Sequence, residues 1–158
     1  MTLDKLDVGI NGLRPALRRY VEGKWSPGVL QNERAYKKSL SAFLREIAPD
    51  AHIEEEYRCF GTTIDIYLKW SGLIFSGEIY VELKYNLKQK TEYDRLVGQI
   101  EQLDPKNRSV LLILCGSLTS ENFLARLRER YRDVIDSPLP GPQGLTVVTK
   151  SQANAATS

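Results

Sequence analysis

The chain has 158 residues, enough for one domain with a single hydrophobic core that needs neither disulfides nor a structural metal. Its 42% hydrophobic and 27% charged residues are ordinary for a globular protein, and a net charge of +2 gives no global attraction to nucleic acid, so any such contact must come from locally arranged charge. The single histidine, His52, excludes chemistries that need two or more, and the isolated Cys59 and Cys115 exclude a zinc site of paired cysteines.

Met1 to Lys5 lacks a basic segment followed by an apolar run, and no stretch is apolar for long enough to cross a bilayer, so a cytoplasmic protein without a membrane partner is expected. Apolar residues at Leu3, Leu6, Ile10, Leu13, Leu17 and Val21 recur at helical spacing up to about Trp25. Gly9, Gly12 and Pro15 interrupt them, which predicts one or two short helices. Ser26-Pro27-Gly28 predicts a loop. A strong helix follows, capped by Asn32, with Glu33 in its first turn, where the helix dipole favours a carboxylate. Tyr36, Leu40, Phe43, Leu44 and Ile47 form its apolar stripe, and Pro49-Asp50 ends it.

Three strands are predicted next: Ile53 to Cys59, Thr62 to Trp70 and Glu78 to Tyr85. In the second, Ile64, Ile66 and Leu68 share one face, with Thr63, Asp65, Tyr67 and Lys69 on the other. In the third, Ile79, Val81, Leu83 and Tyr85 oppose Glu78, Tyr80, Glu82 and Lys84. Ser71-Gly72 and Ser76-Gly77 are the candidate turn residues between them. A basic loop, Asn86 to Lys90, leads to a helix from about Thr91 to Leu103, whose core stripe is Tyr93, Leu96, Val97, Ile100 and Leu103. Val110 to Leu114 reads as a strand buried on both faces. A helix over Ser120 to Val134, a strand over Leu145 to Val148 and a small polar, disordered tail over 151–158 complete the pattern. The expected fold is α/β, a mixed sheet flanked by helices, with an N-terminal helical extension over 1–30 and the main domain over 31–150.

Glu82-x-Lys84 puts a carboxylate and an ammonium on one strand face, and Asp65 lies on the polar face of the strand before it. If those strands are neighbours, the three converge. Phosphodiester hydrolysis suits such a set. A hard divalent cation takes carboxylate oxygens, lowers the pKa of its water and offsets charge on the phosphate, while a lysine orients water or stabilises the transition state. Histidine is not needed. An E-x-K pair by itself is what any half-exposed strand shows. The acidic residue on the preceding strand and the strong helix after the pair carry the weight. Glu78 shares the face with Glu82 but has no lysine two residues on, and His52 reads as a polar residue at a strand start.

Asn32-Glu33-Arg34 opening the first helix, Gly61-Thr62-Thr63-Ile64-Asp65-Ile66, Val81-Glu82-Leu83-Lys84 and the helix with Tyr93-Asp94-Arg95-Leu96-Val97-Gly98-Gln99-Ile100 follow one another in the order helix, three strands, helix, strand. Asn32 to Leu114 thus resembles the PD-(D/E)xK, restriction-endonuclease-like nucleases, whose core is αβββαβ. Ile64 stands where many members have proline, and Pro49-Asp50 lies one strand too early to be the motif. The resemblance implies Asp65 and Glu82 as ligands of Mg²⁺ or Mn²⁺, the carbonyl of Leu83 as a third oxygen, and Lys84 as the residue that positions the attacking water. It implies Glu33 as an auxiliary acid, a position that a dipole-favoured glutamate fills equally well, and Gln99 and Arg95 as polar residues that the second helix lends to the site.

Lys88, Lys90 and Arg95 follow the motif with Tyr85 and Tyr93 interleaved, and are the candidate phosphate contacts. The function so implied is a divalent-metal-dependent nuclease, acting on DNA by water attack that leaves a 5′-phosphate. The alternative is a nuclease-fold module without turnover that binds nucleic acid or protein. An RNase H-like acidic nuclease fits less well, since it does not call for the lysine. Such domains often cut two strands as homodimers, although no apolar stripe here marks an interface.

Overall fold

In the computed structural model, residues 1–72, 76–135 and 143–150 are described. The order is α1 (Lys5–Asn11), α2 (Leu13–Lys24), α3 (Glu33–Ile47), β1 (His52–Cys59), β2 (Thr62–Ser71), β3 (Ser76–Tyr85), α4 (Lys90–Leu103), β4 (Ser109–Cys115), α5 (Glu121–Arg130) and β5 (Gly144–Lys150). The protein is α/β, with one five-stranded mixed sheet, order β1-β2-β3-β4-β5, flanked by helices. β1, β2 and β3 form an antiparallel meander, and β3, β4 and β5 run parallel. Two parallel steps in the same direction along the sheet require crossovers on one face, and α4 and α5 pack there. The other face is covered by α1, α2 and α3, whose Val8, Leu17, Val21, Leu40 and Leu44 join Ile66, Val81, Leu83, Leu111 and Ile113 in one cluster. β4 is buried along its whole length because its side chains alternate between the two clusters.

Local chemistry sets the boundaries. The break between α1 and α2 falls at Gly12, whose φ of +92° suits glycine. Gly9 stays inside α1, and Pro15 sits in the first turn of α2, where its missing N–H has no intrahelical acceptor to lose. Asn32 caps α3, its side chain accepting from the Ala35 N–H at 2.9 Å. At the β1–β2 hairpin tip, Phe60 and Gly61 have φ of +52° and +79°, the left-handed pair that a tight two-residue turn requires.

Three expectations need correction. The last helix ends at Arg130 rather than Val134, its C-terminal carbonyls capped through Tyr131, and 131–134 form turns. Ser76-Gly77 is not a turn but the start of β3, since Ser71 pairs with Ser76 and Trp70 with Gly77. Strict alternation in β2 fails: Ile66 and Leu68 pack under α1 to α3, whereas Ile64 joins Tyr67 in the cluster under α4. The pairing of β1 with β2 runs from His52↔Lys69 to Glu55↔Ile66 and resumes at Tyr57↔Ile64, and the intervening Glu56 has φ +51°, which breaks the pleat beside Asp65. The polar tail over 151–158 lies outside the described residues.

Candidate active site

The β2–β3 ladder ends at Ile66↔Val81. The next residues in that register are Asp65 and Glu82, and here side chains replace the ladder. The Leu83 N–H donates to Asp65 Oδ2 at 2.8 Å, and the Asp65 N–H donates to Glu82 Oε2 at 3.4 Å. Two residues on, the Tyr85 N–H donates to Glu33 Oε2 at 3.2 Å. The free edge of β3 is therefore closed by carboxylates from β2 and α3. An extended residue turns its N–H and C=O to the same edge, so the Leu83 carbonyl opens on the same gap.

Asp65 and Glu82 are 6% and 2% exposed. Burial pushes the Glu82 carboxyl up to about 8, and the negative charge of Asp65 adds to the rise, while Lys84 and Lys37 oppose it. Lys84 Nζ lies 3.6 Å from Glu82 Oε1. From α4, Gln99 Nε2 donates to Glu82 Oε1 at 3.4 Å and to the Thr63 carbonyl at 3.3 Å. Its Oε1 is buried with no donor.

Asp65, Glu82, Lys84, Glu33 and Gln99 thus meet around one gap. Lys88, Lys90 and Arg95 do not: all three are exposed, Lys90 pairs with Asp94 at 2.7 Å, and none forms an ion pair with the acidic cluster among the described residues. Lys37 is the residue that sequence reasoning missed. Its Nζ lies 2.6 Å from Asp65 Oδ1 and 3.0 Å from Glu33 Oε1. Burial works against this ammonium, but the hydrogen bonds and charges of Asp65 and Glu33 more than offset it and hold its pKa above the ordinary value. The one signal in the sequence was its place four residues after Glu33, one turn along the same helix face.

Beside the gap, the hairpin tip forms an open cleft of about 620 Å³ lined by Arg58, Cys59, Phe60, Gly61, Thr62 and Thr63. Phe60 is exposed, and the Arg108 guanidinium sits 3.5 Å from its ring centroid while also donating to the Leu103 carbonyl at 3.1 Å.

A hard divalent cation fits this donor set in kind: two buried carboxylates, a backbone carbonyl facing the gap and an unfilled acceptor on Gln99. Among the described residues, no group of three or more His, Cys, Asp and Glu side chains is placed to hold a metal ion, so a cation here would rest on two carboxylates and draw its other oxygens from the backbone, water or substrate.

No family model matches the chain, and no curated protein matches it. Among solved structures, it is similar to Pyrococcus furiosus SfsA in complex with Ca²⁺, at 16% identity and a TM-score of 0.46, over 75% of this chain and 55% of SfsA. The chain spans about half the length of that protein. No helix among the described residues is long and apolar enough to cross a membrane.

Proposed function

We propose that this chain is a divalent-metal-dependent nuclease that hydrolyses phosphodiester bonds in DNA. The observation that carries the reading is the meeting of Asp65 and Glu82, both buried, at the point where the β2–β3 ladder stops, with Lys84 on the same strand. Burial first, and the Asp65 charge after it, hold the Glu82 carboxyl above its ordinary value despite Lys84 and Lys37, so a further positive charge at the pair would favour its ionised form. Asp65, Glu82 and the Leu83 carbonyl would hold Mg²⁺ or Mn²⁺, with Gln99 Oε1 taking a hydrogen bond from bound water. When bound, the cation supplies a water of lowered pKa and offsets charge at phosphorus.

The chain's own residues do the rest. Lys84, whose side chain is 14% exposed, holds its ammonium 3.6 Å from Glu82 Oε1, where it would orient the attacking water and stabilise charge on the phosphoryl oxygens. Gln99 fixes the Glu82 carboxylate through one oxygen and ties α4 to β2 through Thr63. The cleft beside Thr63 accommodates the nucleotide next to the cut, with Arg58 and Arg108 near its phosphates. Lys88, Lys90 and Arg95, free of the acidic cluster, hold more distant phosphates.

One observation favours a second reading. Lys37 already neutralises Asp65 and Glu33, as a fixed ion cluster would in a module that binds nucleic acid without cutting it. The test is cleavage of supercoiled plasmid, linear duplex and single-stranded DNA with Mg²⁺, Mn²⁺ or EDTA, with Lys84→Ala alongside. Metal-dependent cutting by the parent and a loss of a hundredfold or more in the variant are expected. Absence of cutting by folded parent protein, together with salt-sensitive DNA binding, establishes the module instead.

A further inference from the structure

Asp65 has two carboxylate oxygens, and they are not equivalent. Oδ2 is committed to the β3 backbone through the Leu83 N–H, at 2.8 Å. Oδ1 is the oxygen left for a ligand, and the Lys37 ammonium holds it at 2.6 Å. The same ammonium lies 3.0 Å from Glu33 Oε1, and the other oxygen of Glu33 is tied to the Tyr85 N–H. Lys37 therefore fills the cationic position of the gap with a charge built into the chain. Lys84 does not duplicate it, because its Nζ faces Glu82 Oε1, on the far carboxylate.

We infer that Lys37 is a gate on the cation site: its ammonium and a divalent cation compete for Asp65 Oδ1, so loading the site requires Lys37 to swing away. This inference rests on the proposed nuclease reading and adds the regulation of that same site. The physical ground is like-charge exclusion. A doubly charged ion bound to Oδ1 would stand within a few ångström of an ammonium sharing the same oxygen, in a buried setting where screening is weak.

The structure also supplies the place for the displaced group. Glu33 and Lys37 are one turn apart on α3, in a spacing that supports an ion pair without Asp65. The lysine stem is flexible and carries a single point charge, so the ammonium can leave Asp65 and keep Glu33 without moving α3. In that position it borders the gap and is free to pair with a phosphate oxygen, so cation entry and phosphate entry assist each other. Between turnovers, the pair Lys37–Asp65 keeps a buried carboxylate neutralised without any bound metal.

Two measurements test this on the full chain without nucleic acid, using Ca²⁺ as the probe. The first is calorimetric titration of the parent and of Lys37→Met, which keeps the stem and removes the charge. The variant is expected to bind Ca²⁺ about tenfold more tightly and to unfold at lower temperature in EDTA. The second uses the parent alone, so a folding defect cannot obscure it: amine acylation followed by peptide mass spectrometry. Lys37 is expected to be protected in EDTA relative to the exposed Lys88 and Lys90, and to become several-fold more reactive on saturation with Ca²⁺. Calcium binding of equal strength in both proteins, with Lys37 protection unchanged at saturation, overturns the gate and leaves the metal site standing. Absence of Ca²⁺ binding in both proteins overturns the gate and the metal reading together.

Discussion

Replacing Glu82 by glutamine separates what the site costs the fold from what it gives the chemistry. Burial and Asp65 raise the Glu82 carboxyl from 4.5 to about 8 in the folded chain. The folded state thus keeps its proton up to about pH 8, whereas the unfolded state releases it near 4.5. The stability linked to this proton is fully present below 4.5 and is lost progressively as pH rises through 8. At pH 7 most of that window has been crossed, and the metal-free parent is weakened by about 3 kcal/mol relative to a side chain of the same shape that never ionises. Glu82→Gln is such a side chain, and it keeps an oxygen to accept from the Asp65 N–H. The assay is urea unfolding in EDTA at several pH values between 5 and 8. The parent midpoint should fall by roughly 1–2 M across that range, and the variant midpoint should fall much less and overtake it near neutrality. Adding Mn²⁺ should raise the parent midpoint and leave the variant unmoved. Parallel pH profiles for the two proteins would refute the account, because they would mean that Glu82 ionises in the fold as easily as in the open chain.

Gln99→Leu removes the unfilled acceptor and the two hydrogen bonds to Glu82 and Thr63; calorimetric Ca²⁺ affinity should drop several-fold while the EDTA melting temperature shifts by only a few degrees, and an unchanged affinity would remove Gln99 from the site. Arg95→Ala should weaken DNA binding to a similar degree for unrelated sequences and lower the slope of log affinity against log salt by about one, read from titrations at several ionic strengths; an unchanged slope would place α4's exposed face away from the phosphates.

Much of this was written in local patterns. Asn32 and Glu33 announce the start of α3, and the alternation of Ile79, Val81 and Leu83 fixes the face that carries Glu82 and Lys84. Those features depend only on helix capping and on the pleat. The break in β2 could not be read, because it arises from Glu56 on another strand adopting φ +51° opposite Asp65. Lys37 escaped for a related reason. Its position is set by how α3 lies across the sheet, and nothing in its own neighbourhood distinguishes a lysine on a solvated helix face from one that reaches a carboxylate 28 positions later.

The two ends of the described chain are fastened together. From α2, Arg14 Nε donates to Thr146 Oγ1 on β5 at 2.9 Å, and Lys150 Nζ donates to the Glu22 carbonyl at 2.7 Å. The β1–β3 meander needs only local loop closure and can assemble early, whereas seating α2 requires a segment 132 residues further along to be in place. During synthesis the apolar face of α2, with Leu13, Leu17 and Val21, can pack on β3 and β4 as they emerge, but it stays partly uncovered until the ribosome has delivered β5. The α2–β5 seam should close late in refolding, and substitutions there should speed unfolding more than they slow folding.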